Sequence, residues 1–128
     1  MRLLLDTHIL IWVLSEPGRL KAEIRDVIED EANEVHFSAA SIWEMAIKAA
    51  LGRADFGLSP LEIAQEAVRI GMSELPVTSA FAARVEHPPH HHRDPFDRLL
   101  IAQAMALPAR FYTADSALAD YSELVVVV

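Results

Sequence analysis

The stretch Leu3-Leu4-Leu5-Asp6-Thr7-His8-Ile9-Leu10-Ile11-Trp12-Val13-Leu14 decides how this chain is read. Residues 1–5 form an apolar run of strand length. Residues 7–14 have the length and apolar content of a buried helix, which Pro17-Gly18 ends. A single acid, Asp6, stands between them. An apolar strand that passes directly into a helix is the first half of a βαβ unit, whose sheet is covered on both faces.

The same alternation recurs along the rest of the chain. Leu20, Ile24, Val27 and Ile28 recur at helical spacing among charges, so an amphipathic helix is expected over residues 21–30. Residues 35–37 read as a short strand, and residues 38–51 as a mostly buried helix closed by Gly52. Ser59-Pro60 opens a helix marked by Leu61, Ile63, Ala64, Ala67 and Val68. A short strand is expected over 74–77, a helix over 78–86 stopped by Pro88-Pro89, and a helix over 94–107 stopped by Pro108. Residues 110–113 read as a strand, 116–121 as a short helix and 124–128 as the last strand. The pattern predicts one domain over residues 1–128, an α/β fold with a mostly parallel central sheet in a three-layer α/β/α sandwich. In such sheets the functional crevice lies beyond the carboxyl ends of the strands.

Composition narrows the function. A chain of 128 residues is long enough to bury a core without a disulfide, and the absence of cysteine removes any Cys-based zinc site. The apolar N-terminus is broken by Asp6 and His8 and has no basic region followed by a cleavage site. The apolar C-terminal run is far shorter than the ~20 residues that span a bilayer. A cytoplasmic protein without a membrane segment is therefore expected. The formal net charge of −8 opposes binding to phosphates, unless some of the acids are gathered around cations.

Four acids stand where the crevice rule points. Asp6 follows the first strand, Asp115 follows the strand 110–113, Asp97 lies in the first turn of the helix after Pro95, and Glu44 sits inside an apolar helix. Each also has a purely structural reading. Asp6 and Asp115 serve as N-caps, worth about 1 kcal/mol each. Asp94 caps with Pro95 at the first helical position, which puts Asp97 at the third, favoured by the helix dipole. Glu44 pairs with Lys48 four residues on. Capping accepts Ser, Thr or Asn as readily, however, and the neighbours of Glu44 (Ile42, Trp43, Met45, Ala46, Ile47) are apolar. A carboxylate in that setting needs a partner. Two unit charges at ~4 Å repel by about 4 kcal/mol at an effective dielectric near 20, so convergence of all four demands a cation or raised pKa values. Hard oxygen donors without cysteine point to Mg²⁺, with Mn²⁺ as the alternative. The adjacent His90, His91 and His92 do not converge readily on one tetrahedral ion, so they read as an exposed loop.

These residues resemble the motifs of PIN domains. Leu3-Leu4-Leu5-Asp6-Thr7-His8 is similar to the opening of that family. Ser38-Ala39-Ala40-Ser41-Ile42-Trp43-Glu44-Met45-Ala46-Ile47-Lys48 resembles its second acidic motif. His92-Arg93-Asp94-Pro95-Phe96-Asp97-Arg98-Leu99-Leu100-Ile101-Ala102-Gln103-Ala104 resembles the third motif of a VapC-like toxin subgroup, and Tyr112-Thr113-Ala114-Asp115 the closing Thr-x-Asp. The motifs run in the family's order over essentially the whole chain.

The resemblance implies an endoribonuclease that cuts single-stranded RNA and leaves a 5′-phosphate and a 3′-hydroxyl. It also implies a cognate antitoxin that neutralises the chain, and a homodimer. The catalytic and metal-ligating acids carried over are Asp6, Glu44, Asp97 and Asp115. Glu44 is expected to orient the attacking water or take its proton. Thr7 and Thr113 are expected to donate hydrogen bonds behind the ligands. Lys48, Arg93 and Arg98 lie near the site in sequence and are candidates for RNA phosphates. Ile11, Trp12 and Leu14 read as core, on a helix near which the family places its antitoxin. Two rival readings remain: a PIN-like scaffold that binds partners without cleaving, and a metal-dependent phosphotransfer domain on a related fold. Against the second, His8 stands where an Asp-x-Asp motif needs its second acid, and the last strand has no Lys.

Overall fold

The computed structural model describes residues 1–52, 57–88 and 94–128. Its elements run β1 (Arg2–Leu5), α1 (Thr7–Ser15), α2 (Ala22–Glu29), β2 (Glu34–Ser38), α3 (Ala39–Ala50), α4 (Pro60–Arg69), β3 (Ser73–Leu75), α5 (Ser79–Ala83), α6 (Pro95–Ala106), β4 (Arg110–Thr113) and β5 (Val125–Val127), with 3₁₀ turns at Pro17–Arg19, Arg84–Glu86 and Ser116–Tyr121. The strands form one sheet in the order β3-β2-β1-β4-β5. Every pairing in it is parallel, with Leu5 level with Phe37 on one side and Tyr112 on the other. The chain thus leaves from the centre of the sheet, builds one edge, and returns beside β1 to build the other. That puts the carboxyl ends of β1, β2 and β4 side by side.

Alternation along the strands makes the sandwich. Leu3 and Leu5 of β1, Val35 and Phe37 of β2 and Tyr112 of β4 pack with Ile9, Leu10, Met45 and Ile63 from α1, α3 and α4. Leu4 and Phe111 turn to the opposite face, where Leu100, Ile101 and Ala104 of α6 cover them. Both faces of the central strand are fully buried. This is why residues 3–5 are unbroken leucine rather than an alternating pattern.

Local signals set the helix starts. Ser38 caps α3 through the Ala40 amide at 3.0 Å. Ser59 and Glu62 form a reciprocal capping box at α4. Asp94 caps α6 through the amides of Phe96 (2.9 Å) and Asp97 (3.3 Å), with Pro95 opening the helix as the sequence predicts.

The structure differs from the sequence reading in three places. The strand expected over 74–77 is Ser73–Leu75, because Pro76 has no amide to continue the ladder. The helix expected over 78–86 is α-helical only through Ala83 and tightens to 3₁₀ at Arg84–Glu86. Residues 116–121 are 3₁₀ rather than α-helix. Pro89, the histidines 90–92 and Arg93 lie outside the described residues.

Phe37 is completely buried between the sheet and its helices. Phe37→Ala is expected to cost about 3–5 kcal/mol, a large part of the ~5–15 kcal/mol available to a domain. Urea denaturation followed by far-UV circular dichroism measures the loss.

Candidate active site

The site is built outward from Asp6. β1 ends at Leu5 and α1 begins at Thr7, so the topology leaves Asp6 at the junction, beyond the carboxyl edge of the central strand. Its backbone amide still donates to the Tyr112 carbonyl at 2.9 Å, which ties it to β4. The side chain is 6 % exposed. One carboxylate oxygen, Oδ1, accepts from the Thr7 amide at 2.7 Å, and the other, Oδ2, accepts from the Thr113 hydroxyl at 2.6 Å. An ordinary N-cap reaches the second or third amide of its helix. Asp6 instead bonds the first and turns its second oxygen across to β4. The capping reading of Asp6 therefore accounts for only half of its carboxylate.

Burial pushes the Asp6 carboxyl above the ordinary Asp range. The Thr113 hydroxyl and the Thr7 amide oppose that shift, as does the nearby His8, while the Glu44 carboxylate adds to it. Two acids from β1 and α3 thus stand close enough to feel each other.

Thr7 is the physical link between them. Its hydroxyl lies 2.7 Å from Glu44 Oε1 and 3.0 Å from Ser41 Oγ. A hydroxyl carries one proton and the carboxylate can only accept, so Thr7 donates to Glu44 and Ser41 donates to Thr7. The other Glu44 oxygen, Oε2, accepts from Lys48 Nζ at 2.9 Å. The apolar surroundings of Glu44 are therefore answered by two donors, one neutral and one cationic. Ser41 escaped the sequence reading. Its signal was a small hydroxyl on the buried side of an apolar helix, one turn before Glu44.

Asp115 and Asp97 belong to two further elements. The Asp115 amide donates to the Thr113 hydroxyl oxygen at 3.0 Å, so one threonine serves both Asp6 and the Asp115 backbone. The Asp115 side chain is exposed and accepts from the Ala117 amide at 3.0 Å as the cap of its 3₁₀ turn. Asp97 is half-buried at the third position of α6. The preceding Phe96 meets Trp43, the residue before Glu44, edge to face with ring centroids 4.9 Å apart. Among the described residues, no three His, Asp or Glu side chains are grouped tightly enough to ligate one ion directly. The physical reason lies in the donors: Asp6, Glu44 and Asp115 each take hydrogen bonds from the protein, and mutual repulsion resists a tighter cluster.

The expected RNA contacts fall differently. Lys48 is partly exposed beside Glu44. Arg98 is 7 % exposed, and its guanidinium donates to the Val85 carbonyl at 2.6 Å and the Pro88 carbonyl at 3.0 Å. It fastens the end of the 3₁₀ turn to α6, which corrects the expectation that it faces RNA. Arg93 lies outside the described residues. Gln103, which the sequence reading gave no role, is fully buried. It accepts from the Ser38 hydroxyl at 2.6 Å and donates to the Pro76 carbonyl at 3.2 Å, bracing the end of β2 against α6.

Two outcomes follow from this geometry. Thr113→Val removes the donor to a buried carboxylate oxygen without changing shape, and is expected to cost about 1–3 kcal/mol in urea unfolding, with Thr113→Ser largely restoring it. The second outcome concerns pH. A carboxyl raised in the folded state holds its proton more tightly folded than unfolded. In metal-free protein Asp6 therefore costs stability progressively as pH rises from the ordinary Asp range through its folded value. The difference in unfolding free energy between Asp6→Asn and wild type, measured in chelator across that window, should grow in favour of the Asn variant and then level off.

Known proteins resemble this chain over nearly its whole length. The PIN domain family model matches residues 3–124. The chain is 30% identical over 122 residues to Ribonuclease VapC22 of Mycobacterium tuberculosis, covering 92% of this chain and 90% of that protein. Its fold is similar to a chain in the crystal structure of VapBC2 from Rickettsia felis bound to a DNA fragment from their promoter, with a TM-score of 0.72, 10% identity and coverage of 100% of this chain and 98% of that one. With the family model matched over residues 3–124 and a 30%-identical relative covering 92% of the chain, the chain belongs to the PIN-domain family.

Proposed function

We propose that this chain is a divalent-metal-dependent endoribonuclease that cuts single-stranded RNA, the toxin of a toxin–antitoxin pair. The observation that carries the reading is the buried Asp6 carboxylate facing Glu44 across Thr7, at the carboxyl edge of the sheet. A pair of carboxylates that share one threonine at the carboxyl edge of the sheet is suited to a hard cation. Magnesium uses few protein carboxylates directly and keeps several waters. Asp6 would hold Mg²⁺, or Mn²⁺, with Asp97, Asp115 and Glu44 engaged directly or through water. When bound, the ion neutralises phosphate charge and lowers the pKa of water.

The chain's own residues supply the rest. Thr113 and Thr7 fix the orientation of the Asp6 carboxylate. Glu44, aimed by Thr7 and Lys48, is positioned to accept a proton from the attacking water. Attack of that water on phosphorus with cleavage of the P–O3′ bond, the leaving 3′-oxygen taking a proton from solvent, leaves the 5′-phosphate and 3′-hydroxyl. Lys48 and Arg93 are the candidate phosphate contacts.

The relatives support the partner assignments. The 30%-identical relative is named a ribonuclease, and the structural neighbour was solved as a VapBC2 assembly with DNA. A cognate antitoxin with a basic segment suits a chain of net charge −8. The groove between α1 and α4, lined by Leu14, Leu58, Glu62, Gln65, Glu66 and Arg69, offers apolar surface with a polar rim in which Arg69 pairs with Glu66. A homodimer and a cytoplasmic location complete the proposal. Among the described residues no helix is long and apolar enough to cross a membrane.

The test is cleavage of single-stranded RNA by purified protein, with end mapping. Wild type should cut in Mg²⁺ or Mn²⁺ and not in chelator, leaving 5′-phosphate ends. Asp6→Asn and Asp97→Asn should each lose activity by at least about a hundredfold while remaining folded. A folded wild type that binds an antitoxin but cuts no RNA with either ion would identify a scaffold instead.

A further inference from the structure

We propose that Trp43 is a stacking platform for a base of the single-stranded RNA beside the scissile phosphate. The inference rests on the ribonuclease reading and adds a residue that positions the substrate.

Trp43 is 59 % exposed, although the next residue on α3, Glu44, is buried. The indole is also held in place. Phe96 meets it edge to face, with centroids 4.9 Å apart and planes at 67°. Trp43 precedes Glu44 and Phe96 precedes Asp97, so the ring pair bridges α3 and α6 at the positions next to both acids. The second tryptophan is placed differently. Trp12 is half-buried, and the Arg19 guanidinium sits 5.5 Å above its ring. Trp43 is thus the indole that is fixed on one side and open to solvent at the carboxyl edge of the sheet.

Chemistry favours a base as its occupant. Single-stranded RNA is recognised mainly through unstacked bases laid on aromatic faces. Stacking tolerates any base and needs no positive charge. A chain of net charge −8, whose Arg98 is committed to carbonyls, needs a grip on RNA that does not depend on cations. Ile47, one turn along α3, is 37 % exposed, and a protein partner lying along that helix would also cover Trp43. Such a partner would shield the approach to Glu44 and Asp97, whereas a stacked base would lead its own phosphate toward them.

The experiment uses full-length protein carrying Trp12→Phe, so that Trp43 alone fluoresces, and Asp97→Asn, so that RNA is bound without being cut. Titration with a short single-stranded RNA in Mg²⁺ should quench the emission. In the Asp97→Asn background, Trp43→Ala and Trp43→Leu should bind about ten- to a hundredfold more weakly, and Trp43→Phe within a few-fold of Trp. In the active protein, Trp43→Ala should raise KM more than it lowers kcat. Sedimentation of each variant reports its assembly state.

Three results overturn the proposal alone: no quenching by RNA that the protein binds, Trp43→Leu binding as tightly as Trp, or a change of assembly state with RNA affinity intact, which makes Trp43 a protein interface. Wild type that neither binds nor cuts RNA in Mg²⁺ or Mn²⁺ removes the ribonuclease reading and this inference together.

Discussion

The hydrogen bond from Thr113 to Asp6 is the interaction on which the rest of the site depends. It joins the end of β4 to the end of β1 across 107 residues of sequence, at 2.6 Å and out of contact with water. A carboxylate taken from water is costly unless donors replace the lost hydration. Thr113 and the Thr7 amide supply those donors, and they do not fully offset burial, because the Asp6 carboxyl remains raised. The fold therefore carries at its centre an acid whose charge is only partly compensated. Sites that bind cations are commonly built this way, with structural stability given up where the ligand will restore it.

The surroundings of Asp6 form a graded series. Asp6 and Glu44 are buried, Asp97 is half-buried and Asp115 is exposed. The buried positions are held by threonine and serine hydroxyls, which are short and have few rotamers. Outer positions are held by helix caps and by the α3–α6 ring contact. Beneath them, Ser38, Gln103 and Arg98 use hydrogen bonds to tie the start of α3 and the segments at Pro76 and Val85 to α6. Rigid support of this kind keeps donors aimed at a site instead of at one another.

Net charge and proposed activity are reconciled by this arrangement. A charge of −8 repels RNA at long range, yet under the proposed reading part of it belongs to acids that a divalent ion would neutralise. Specific binding then relies on short-range contacts at the crevice, and the acidic surface elsewhere discourages unspecific association with nucleic acid. The same surface is complementary to a basic protein partner.

The sequence by itself determined the elements and their order. Unbroken leucines at 3–5, the Asp94-Pro95 helix start and the proline stops are local signals, read from backbone sterics and hydrogen-bonding capacity. Even the strand expected over 74–77, which ends instead at Leu75, has a local cause in Pro76. The candidate acids were legible too, since each stands at a strand end, in the first turn of a helix or inside an apolar helix. Tertiary structure alone decided what those acids touch. Nothing near Asp6 in sequence names Thr113 as its donor, and nothing near Arg98 says that it faces inward to the carbonyls of Val85 and Pro88 rather than outward to RNA. Local propensity acts over a few residues, whereas burial and long-range hydrogen bonds depend on which strands become neighbours. Here the return of the chain from the sheet edge to β4 beside β1 made that choice.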